Sequence, residues 1–375
     1  MSVIQRIKNI GKKVLYRDEN FYSRYKDGCD DLAKGLQRSE PITQSQKNEI
    51  MAFWKPYLNN RWTRKTFDIR WFDVYNKTNV FDFPLKYYIP DSFYYCIVDG
   101  FLSNEKSGKI LDDKNMYDLY FYDVKQPKTI CRKVNDVFLD SAYHVITKQR
   151  AVELCVAEGN VIIKSSVDAC AGRGIYKWSK HLSDSESLGC LLDKGHNYIV
   201  QQMIKQHQTL AAFNDTCVNT LRLVTLYFEG KIHLCSAVLI AGGKNAVTNH
   251  LHGGGIVCGI HSNGLLYHTA FDGKLNQYTE HPNGVIFSEC RIPEFDKCIE
   301  MVKLLAARFL SAAKLISWDL TINEEGEPIL IETNLVRGGV VQIAAGPVFG
   351  SLTPKVLDYI ATRYKNKVFD LIKFK

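Results

Sequence analysis

The sequence lacks the features that mark membrane-spanning and secreted proteins. No apolar run reaches the roughly 20 residues that cross a bilayer, and the N-terminus has no apolar signal core followed by a small-residue cleavage site. The 11 cysteines are scattered without any C-x-x-C pair, so neither a disulfide framework nor a zinc cluster is indicated. We therefore expect a cytoplasmic protein whose thiols are reduced.

Several short functional signatures are also missing. The Walker A pattern and the G-x-G-x-x-G fingerprint do not occur, which excludes two familiar phosphate-binding loops. Without a G-x-S-x-G elbow, Ser-His-Asp hydrolase chemistry has no support. The 20 tyrosines and 19 phenylalanines fall within apolar patterns and do not alternate with basic residues, so we expect no nucleic-acid partner.

The composition that is present indicates an ordinary globular protein. The chain has 375 residues, of which 46% are hydrophobic and 23% charged. This length favours two or three subdomains. We expect a mainly helical, aromatic-rich region over 1–110, in which residues 61–110 mix helix with short strands. A region over 111–210 and a β-rich region over 211–375 would follow.

The first 17 residues carry part of the net charge of +8 and contain no acidic residue. Val3, Ile7, Ile10 and Val14 recur at helical spacing, which predicts an amphipathic basic helix. Such a helix could lie on an anionic membrane surface, and it could equally pack on the body of the protein. Its basic residues are Arg6, Lys8, Lys12, Lys13 and Arg17.

Two acidic residues interrupt a pair of very apolar segments near the C-terminus. LISWDLTI and ILIETN flank the polar turn NEEGEP, a pattern that predicts two antiparallel strands joined by a short hairpin. Asp319 and Glu332 would then lie opposite each other, with Asn334 on the same strand face. Three oxygen ligands on one face suit Mg²⁺ that also contacts nucleotide phosphates. The alternative is an ordinary hairpin with solvated acids.

Residues 161–178 predict two strands around a small-residue turn. The turn contains Ala171, Gly172 and Gly174, and small residues let backbone N–H groups approach phosphate oxygens closely. Lys164 ends the first strand, from which it could reach an α- or β-phosphate. A glycine-rich hairpin alone is weak evidence, but a strand lysine and such a loop upstream of a D…E-x-N hairpin are more specific.

This order of elements resembles the ATP-grasp enzymes, and in particular the sugar-transfer-associated ATP-grasp group found with bacterial surface-polysaccharide genes. The resemblance extends over roughly residues 30 to 360 and implies an α+β ATP-grasp fold with ATP and Mg²⁺ as cofactors. It also implies that 111–210 is the small, nucleotide-binding subdomain with the adenine hinge and 211–375 the catalytic subdomain with the metal site. The matching segments are LDDKN at 111–115, VIIKSS at 161–166, YIVQQMI at 198–204, NTLRLVT at 219–225, NHLHGGGI at 249–256, WDLTI at 318–322 and IETN at 331–334.

The resemblance also implies roles for individual residues. Lys114 and Lys164 would bind ATP phosphates, together with the loop at Ala171, Gly172 and Gly174. Gln201 or Gln202 would bind the adenine amino group, and the backbone near Met203 would complete the hinge. Asp319, Glu332 and Asn334 would hold Mg²⁺. The sequence departs from the family in having glutamines where many members have a hinge glutamate. It also has Ala241, Gly242 and Gly243 in the segment where members often carry an arginine, with Lys244 as the nearest base.

Further polar residues have two interpretations each. Arg222 lies on a strand predicted to be buried, where its partner would be either a phosphate or a structural carboxylate. Asn249 would touch phosphate or substrate beside the glycine turn. Arg337 would neutralise an acyl phosphate or a substrate carboxylate, or else belong to a surface loop. His250 and His252 would share a strand face but lack a third ligand for zinc.

Taken with the resemblance, these residues imply ATP-dependent joining of a carboxylate to an amine through an acyl phosphate. Catalysis would rest on positioning and electrostatics, without a protein nucleophile. Family analogy suggests an amino acid and a uronic acid or amino sugar, free or sugar-linked, in capsule or O-antigen synthesis. A kinase that phosphorylates a sugar hydroxyl would use the same nucleotide residues, and a non-catalytic ATP-binding scaffold is the third interpretation.

Overall fold

The computed structural model describes residues 41–167, 174–246, 248–336, 338–339 and 341–362. The chain divides into two units, Met1–Asn104 with Val340–Lys375 and Glu105–Gly339. The basic helix predicted for the first 17 residues lies outside the described part. No helix among the described residues is long and apolar enough to cross a membrane. The three-part division made from the sequence stays a prediction.

The first unit is helical over its described N-terminal part. Its first helix begins with a capping box, in which Thr43 Oγ1 accepts from Gln46 N and Gln46 Oε1 accepts from Thr43 N. The helices are α1 (Gln44–Trp54), α2 (Arg61–Thr66), α3 (Trp71–Thr78), α4 (Asp91–Phe93), which continues into a π-helical turn (Tyr94–Val98), and α5 (Asp99–Leu102).

Residues 61–102 thus correct one expectation, since helices and turns replace the predicted mixture of helix and short strand. In the segment TFDIRWFDVY, the residues Trp71, Phe72 and Tyr75 are buried together on one side of α3. Aromatic residues generally favour strands. In this segment, however, they recur every three or four residues, and that spacing forms the apolar face of a helix.

The C-terminal part of this unit supplies a buried polar side chain to the aromatic core. Residues 353–362 are helical, and a short helix, Gln342–Ala345, precedes them. Gln342 Oε1 accepts from Ile89 N at 3.1 Å, and its Nε2 donates to Ile89 O at 2.7 Å. The neighbouring Tyr75 hydroxyl donates to Asp91 Oδ1 at 3.0 Å. This network satisfies polar groups that would otherwise be costly to bury.

The second unit contains two antiparallel sheets. The first has the strand order β3-β2-β1-β6-β4-β5, and helices α8 and α9 cover one face with the buried residues Ala151, Cys155, Leu188 and Leu192. Its elements are α6 (Glu105–Leu111), α7 (Tyr117–Tyr120), β1 (Thr129–Val134), β2 (Val137–Asp140), β3 (Val145–Ile146), α8 (Lys148–Glu158), β4 (Asn160–Ser165), β5 (Tyr176–Ser179), α9 (Ser185–Leu192) and β6 (Tyr198–Gln202).

The second sheet has the order β11-β10-β9-β8-β7-β12-β13, and helix α11 packs against its core through Cys298, Val302 and Leu305. Its elements are α10 (Gln208–Ala211), β7 (Thr220–Phe228), β8 (Lys231–Ala241), β9 (Ile256–Ile260), β10 (Leu266–Asp272), β11 (Gln277–Tyr278), α11 (Phe295–Arg308), β12 (Leu315–Ile322) and β13 (Pro328–Asn334).

The segment before β9 corrects a second expectation. The sequence predicts that His250 and His252 share one strand face, but residues Leu251–Gly253 form a 3₁₀ turn. The two glycines that follow favour a tight turn over a strand, because Gly254 has a φ of +89° and Gly255 lies close to the Asn249 carbonyl.

The pH dependence of stability tests the buried network of the first unit. Burial raises the pKa of Asp91 from 3.8 to about 7, outweighing its hydrogen bonds. The folded state therefore binds this proton more tightly than the unfolded state, and the resulting stability is complete below pH ~4 and lost as the pH rises through 7. We expect the thermal midpoint to fall between pH 5 and 7.5 by about 5 °C more in the wild type than in Asp91→Asn.

Calorimetry at the two pH values measures this difference. Asp82→Asn is the matched control, since Asp82 is an exposed aspartate of the same unit. Equal pH slopes for wild type and Asp91→Asn would show that the carboxyl is ionised throughout this range.

Candidate functional site

The predicted hairpin of β12 and β13 is confirmed, and it places three charged residues in one row. Asp319 lies opposite Glu332 of β13 on one side and opposite Arg222 of β7 on the other. Directly paired residues of neighbouring strands project from the same face of a sheet. The row therefore places one cation beside two neighbouring carboxylates, in the order arginine, aspartate, glutamate.

A bulge shapes the hairpin beside this row. Asp319 pairs with Glu332, whereas the next residue, Leu320, pairs with Leu330, so that Ile331 is the extra residue of β13. Bulges often occur next to active sites because they turn a side chain in a new direction. Here the bulge immediately precedes Glu332 and Asn334, two of the residues predicted to bind the metal.

Arg222 binds Asp319 through two parallel hydrogen bonds. The distances are 2.8 Å from Nε to Oδ1 and 2.7 Å from the terminal nitrogen NH2 to Oδ2. Asp319 is only 7% exposed, and in such a site a bidentate contact is strong and directional. Of the two partners left open by the sequence, this structure shows the carboxylate.

Glu332 is neutralised by a lysine that is distant in the sequence. The Lys114 ammonium lies 2.8 Å from Glu332 Oε1 and is itself nearly buried. Lys114 belongs to a 3₁₀ turn, Lys114–Met116, whose N-cap is Asp113. Its backbone N–H donates to Ser166 O, at the end of β4, at 3.0 Å. The turn thereby brings one predicted phosphate ligand to the hairpin of β12 and β13, which we call the metal hairpin after its predicted ligands.

Lys164 projects from β4 towards the same charges. Its ammonium donates to Gln201 Oε1 at 3.2 Å. Burial lowers the pKa of Lys164 from 10.5 to about 8, with the charge of Lys114 lowering it further and that of Glu332 opposing the shift. A lysine whose charge is poorly solvated in this way is suited to binding an anion.

The oxygen atoms at this site suit Mg²⁺. Asp319 and Glu332 offer carboxylates, and the side-chain nitrogen of Asn334 is buried without a hydrogen-bond partner among the described residues. Because the two ends of an amide are assigned from their contacts, this unpartnered end can equally be the oxygen that a cation needs. The described residues contain no group of three or more His, Cys, Asp or Glu able to hold a metal.

The two glutamines predicted to bind adenine differ in their positions on β6. Gln201 is 5% exposed, lies on the Lys164 face of β6, and donates to Pro127 O at 3.3 Å. Gln202 is exposed and projects from the opposite face, because neighbouring residues of a strand alternate. Met203 donates its backbone N–H to Asn160 O. The geometry therefore favours Gln201 over Gln202.

The remaining predicted residues are only partly described. Ala171, Gly172 and Arg337 lie outside the described residues, while Gly174 has a φ of +74° in the turn that leads into β5. Asn249 donates its side-chain amide to Thr220 Oγ1 at 2.8 Å. Thr220 is two residues from Arg222 on the same strand face, so Asn249 lies at the border of the site.

Two features of the site were not predicted from the sequence: a hydrogen-bonded contact and a close approach at a glycine. The Tyr117 hydroxyl contacts Thr333 Oγ1 at 3.1 Å and accepts from Thr333 N, beside Glu332. A Cβ atom on Gly338 would approach Ser317 Oγ to 2.5 Å, and Ser317 pairs with Asn334. The spacing of Tyr117 three residues after Lys114 could have suggested the first contact. No local pattern indicates the second.

Comparisons with solved structures return proteins of low similarity. D-alanyl-alanine synthetase A from Vibrio cholerae is 14% identical, with a TM-score of 0.41, over 68% of this chain and 63% of that one. The D-alanine–D-alanine ligase from Bacillus anthracis is 14% identical, with a TM-score of 0.40, over 71% and 72%. N5-carboxyaminoimidazole synthase from Aspergillus clavatus is 10% identical, with a TM-score of 0.39, over 68% and 54%.

The shared part is thus less than two thirds of the Vibrio and Aspergillus chains. No curated protein sequence matches this chain.

A family described as sugar-transfer associated ATP-grasp matches residues 101–357, well over half of the chain. The matched range contains the whole second unit. It confirms the predicted ATP-grasp fold. From the extent of this match, together with the metal hairpin and the two lysines, the chain belongs to the sugar-transfer associated ATP-grasp family.

Proposed function

We propose that this protein is an ATP-dependent carboxylate–amine ligase that forms an amide through an acyl phosphate. The observation that carries the proposal is the charged row in which Arg222, Asp319 and Glu332 lie side by side, with Lys114 paired to Glu332. With the Asn334 amide, these residues offer two acids, two cations and an unpartnered amide beside one another. Carboxylate and amide oxygens can hold Mg²⁺, and the cations can contact phosphate oxygens.

The charges support phosphoryl transfer. Lys114, Lys164 and Arg222 supply three cations around the carboxylates of Asp319 and Glu332. When a triphosphate is present, the cations can contact its oxygens while the carboxylates and Asn334 hold Mg²⁺. Mg²⁺ supplies additional positive charge for the phosphates. Fixed donors of this kind lower the barrier to transfer because they need little reorganisation.

A reaction through an acyl phosphate needs no protein nucleophile. The γ-phosphoryl group passes to an oxygen of the substrate carboxylate, releasing ADP. The substrate amine then attacks the carbonyl carbon, and phosphate leaves as the amide forms. The protein has to position the reactants and exclude water. Asn249 is proposed to contact the substrates from the border of the site. Arg337 is proposed to neutralise the acyl phosphate or a substrate carboxylate, and Ala171 and Gly172 to contact the phosphates.

A sugar-hydroxyl kinase is the second candidate, since it would use the same nucleotide residues. Hydroxylamine distinguishes the two. The assay contains ATP, Mg²⁺, a carboxylate substrate and hydroxylamine in place of the amine. If the enzyme is a ligase, hydroxylamine attacks the acyl phosphate and a hydroxamate forms, whereas a kinase gives no hydroxamate. By analogy with the family, whose description is sugar-transfer associated, we propose a sugar-linked substrate. Our specific proposal is an amino acid with a uronic acid or amino sugar, in capsule or O-antigen synthesis. A non-catalytic scaffold would bind ATP without releasing ADP.

Substitution of Glu332 tests the metal site. In Glu332→Gln, Mg²⁺ loses a charged ligand, so we expect ADP release to fall by at least about 10- to 100-fold. The Mg²⁺-dependent part of the ATP-induced thermal shift should also disappear. Glu327→Gln is the matched control, because Glu327 lies in the same hairpin and pairs with the exposed Lys125. Equal Mg²⁺ responses in the wild type and Glu332→Gln would contradict the proposed ligand set.

The pH dependence of ATP use tests Lys164. Its pKa of about 8 means that the free enzyme loses this charge above pH 8. The kcat/KM for ATP should therefore fall as the pH rises through 8, because this parameter reports ionisations of the free enzyme. In Lys164→Arg the side chain keeps its charge, so the fall should move to higher pH. A profile unchanged by this substitution would assign the ionisation to another group.

Vesicle binding tests the N-terminal segment. We propose that the basic residues of 1–17 bring the protein to the inner face of the cytoplasmic membrane, where lipid-linked sugars are found. Removing residues 1–17 should then reduce sedimentation with anionic vesicles, with no change for neutral vesicles. Unchanged sedimentation with anionic vesicles would rule out this role.

A further inference from the structure

We propose that Arg132 is a positioning residue that fixes Lys114 at the nucleotide site. It does so through the segment 112–118, which we call the lysine segment. This inference rests on the proposed function, because the role given to Lys114 is contact with ATP. Arg132 itself lies in β1 and does not belong to the set of residues predicted from the sequence.

Arg132 is a fully buried charge with a single described carboxylate partner. Its side chain is 0% exposed and pairs with Asp118. The guanidinium also stacks on the Tyr143 ring, 3.8 Å from its centroid. Nε and NH1 have no hydrogen-bond partner among the described residues. A buried arginine is stable only when paired, so the contact with Asp118 constrains both side chains strongly.

The strand register shows why Arg132 acts indirectly. Arg132 lies opposite Ile199, and Ile199 lies opposite Lys164. Arg132 and Lys164 therefore project from the same face of the sheet, two strand spacings or about 10 Å apart. Lys164 is on the nucleotide side of this face. Arg132 is completely covered, and Asp118 of the lysine segment is part of that cover.

The lysine segment is held by the first sheet at several further points. Asp118 Oδ1 accepts from Thr129 Oγ1 at 3.2 Å, and the Tyr143 hydroxyl donates to Asn115 O at 2.8 Å. Lys114 N donates to Ser166 O at 3.0 Å. Arg132 touches both Asp118 and Tyr143, so its guanidinium links two of these attachments.

The other side of the same segment contacts the metal hairpin. Lys114 pairs with Glu332, and Tyr117 contacts the adjacent Thr333. Asp118 and Lys114 are four residues apart, about one helical turn. A shift of Asp118 would therefore move Lys114 relative to Glu332 and the phosphates. The geometry assigns Arg132 to setting the position of Lys114, with no direct contact to nucleotide.

A double-mutant cycle on ATP–Mg²⁺ affinity tests this inference. We expect Arg132→Met to weaken binding by roughly 10-fold, as for other residues that orient a ligand. In a Lys114→Met background, the same change should weaken binding by less than about 2-fold, because Lys114 is then absent. Arg132→Lys should recover part of the loss, since it keeps the charge beside Asp118. Multiplicative effects in the double mutant would overturn the inference.

Matched variants separate positioning from loss of structure. Lys133→Met alters the next residue of β1, which faces the other way and donates to Gly195 O, so affinity should not change in either background. If Arg132→Met fails to fold, Tyr143→Phe removes only the hydroxyl that binds Asn115, and it should show the same dependence on Lys114 with a smaller effect. Full affinity in Tyr143→Phe would then overturn the inference.

The two proposals fail in distinguishable ways. If the wild type binds no ATP at millimolar concentration, the proposed function is wrong and the inference falls with it. If the wild type binds ATP and Lys114→Met weakens that binding, the function stands. A loss caused by Arg132→Met that does not depend on Lys114 then refutes the positioning role alone.

Discussion

The structure of the site depends on the pairing of opposite charges on one face of the second sheet. Asp319 and Glu332 are neighbours across a strand pair, and two carboxylates at that distance destabilise a sheet unless cations neutralise them. Arg222 neutralises the first from within the sheet, and Lys114 neutralises the second from outside it. The fold can thus hold the two predicted metal ligands next to each other without a metal ion between them.

This constraint explains why the second unit brings two separate sheets to one site. Arg222 belongs to the second sheet and Lys164 to the first, while Lys114 lies on a segment attached to both. The contact between Lys114 and Glu332 therefore links the first sheet to the hairpin of β12 and β13, and the position of each cation depends on a different part of the fold.

The sequence predicted the local elements of the site and missed the contacts that join them. The hairpin was predictable because one apolar run, a polar turn and a second apolar run fix the pairing of Asp319 with Glu332. The partner of Arg222 was not, since it depends on β7 lying beside β12, ninety-seven residues away. The helices of 61–102 were misjudged for a local reason, because aromatic residues serve both strands and helices and only their spacing decides.

The charge pairs also determine which contacts would have to break when a metal–nucleotide complex binds. At present the lysine and arginine side chains contact the carboxylates. If Mg²⁺ and ATP bound together, these cations would contact phosphate oxygens and the carboxylates would contact the metal. The number of opposite-charge contacts is then roughly conserved, so little uncompensated charge is buried at any stage. Binding either component alone would leave a carboxylate or a cation without its partner. The arrangement should therefore favour the complex over free ATP or free metal, which is the selectivity that a phosphoryl-transfer site requires.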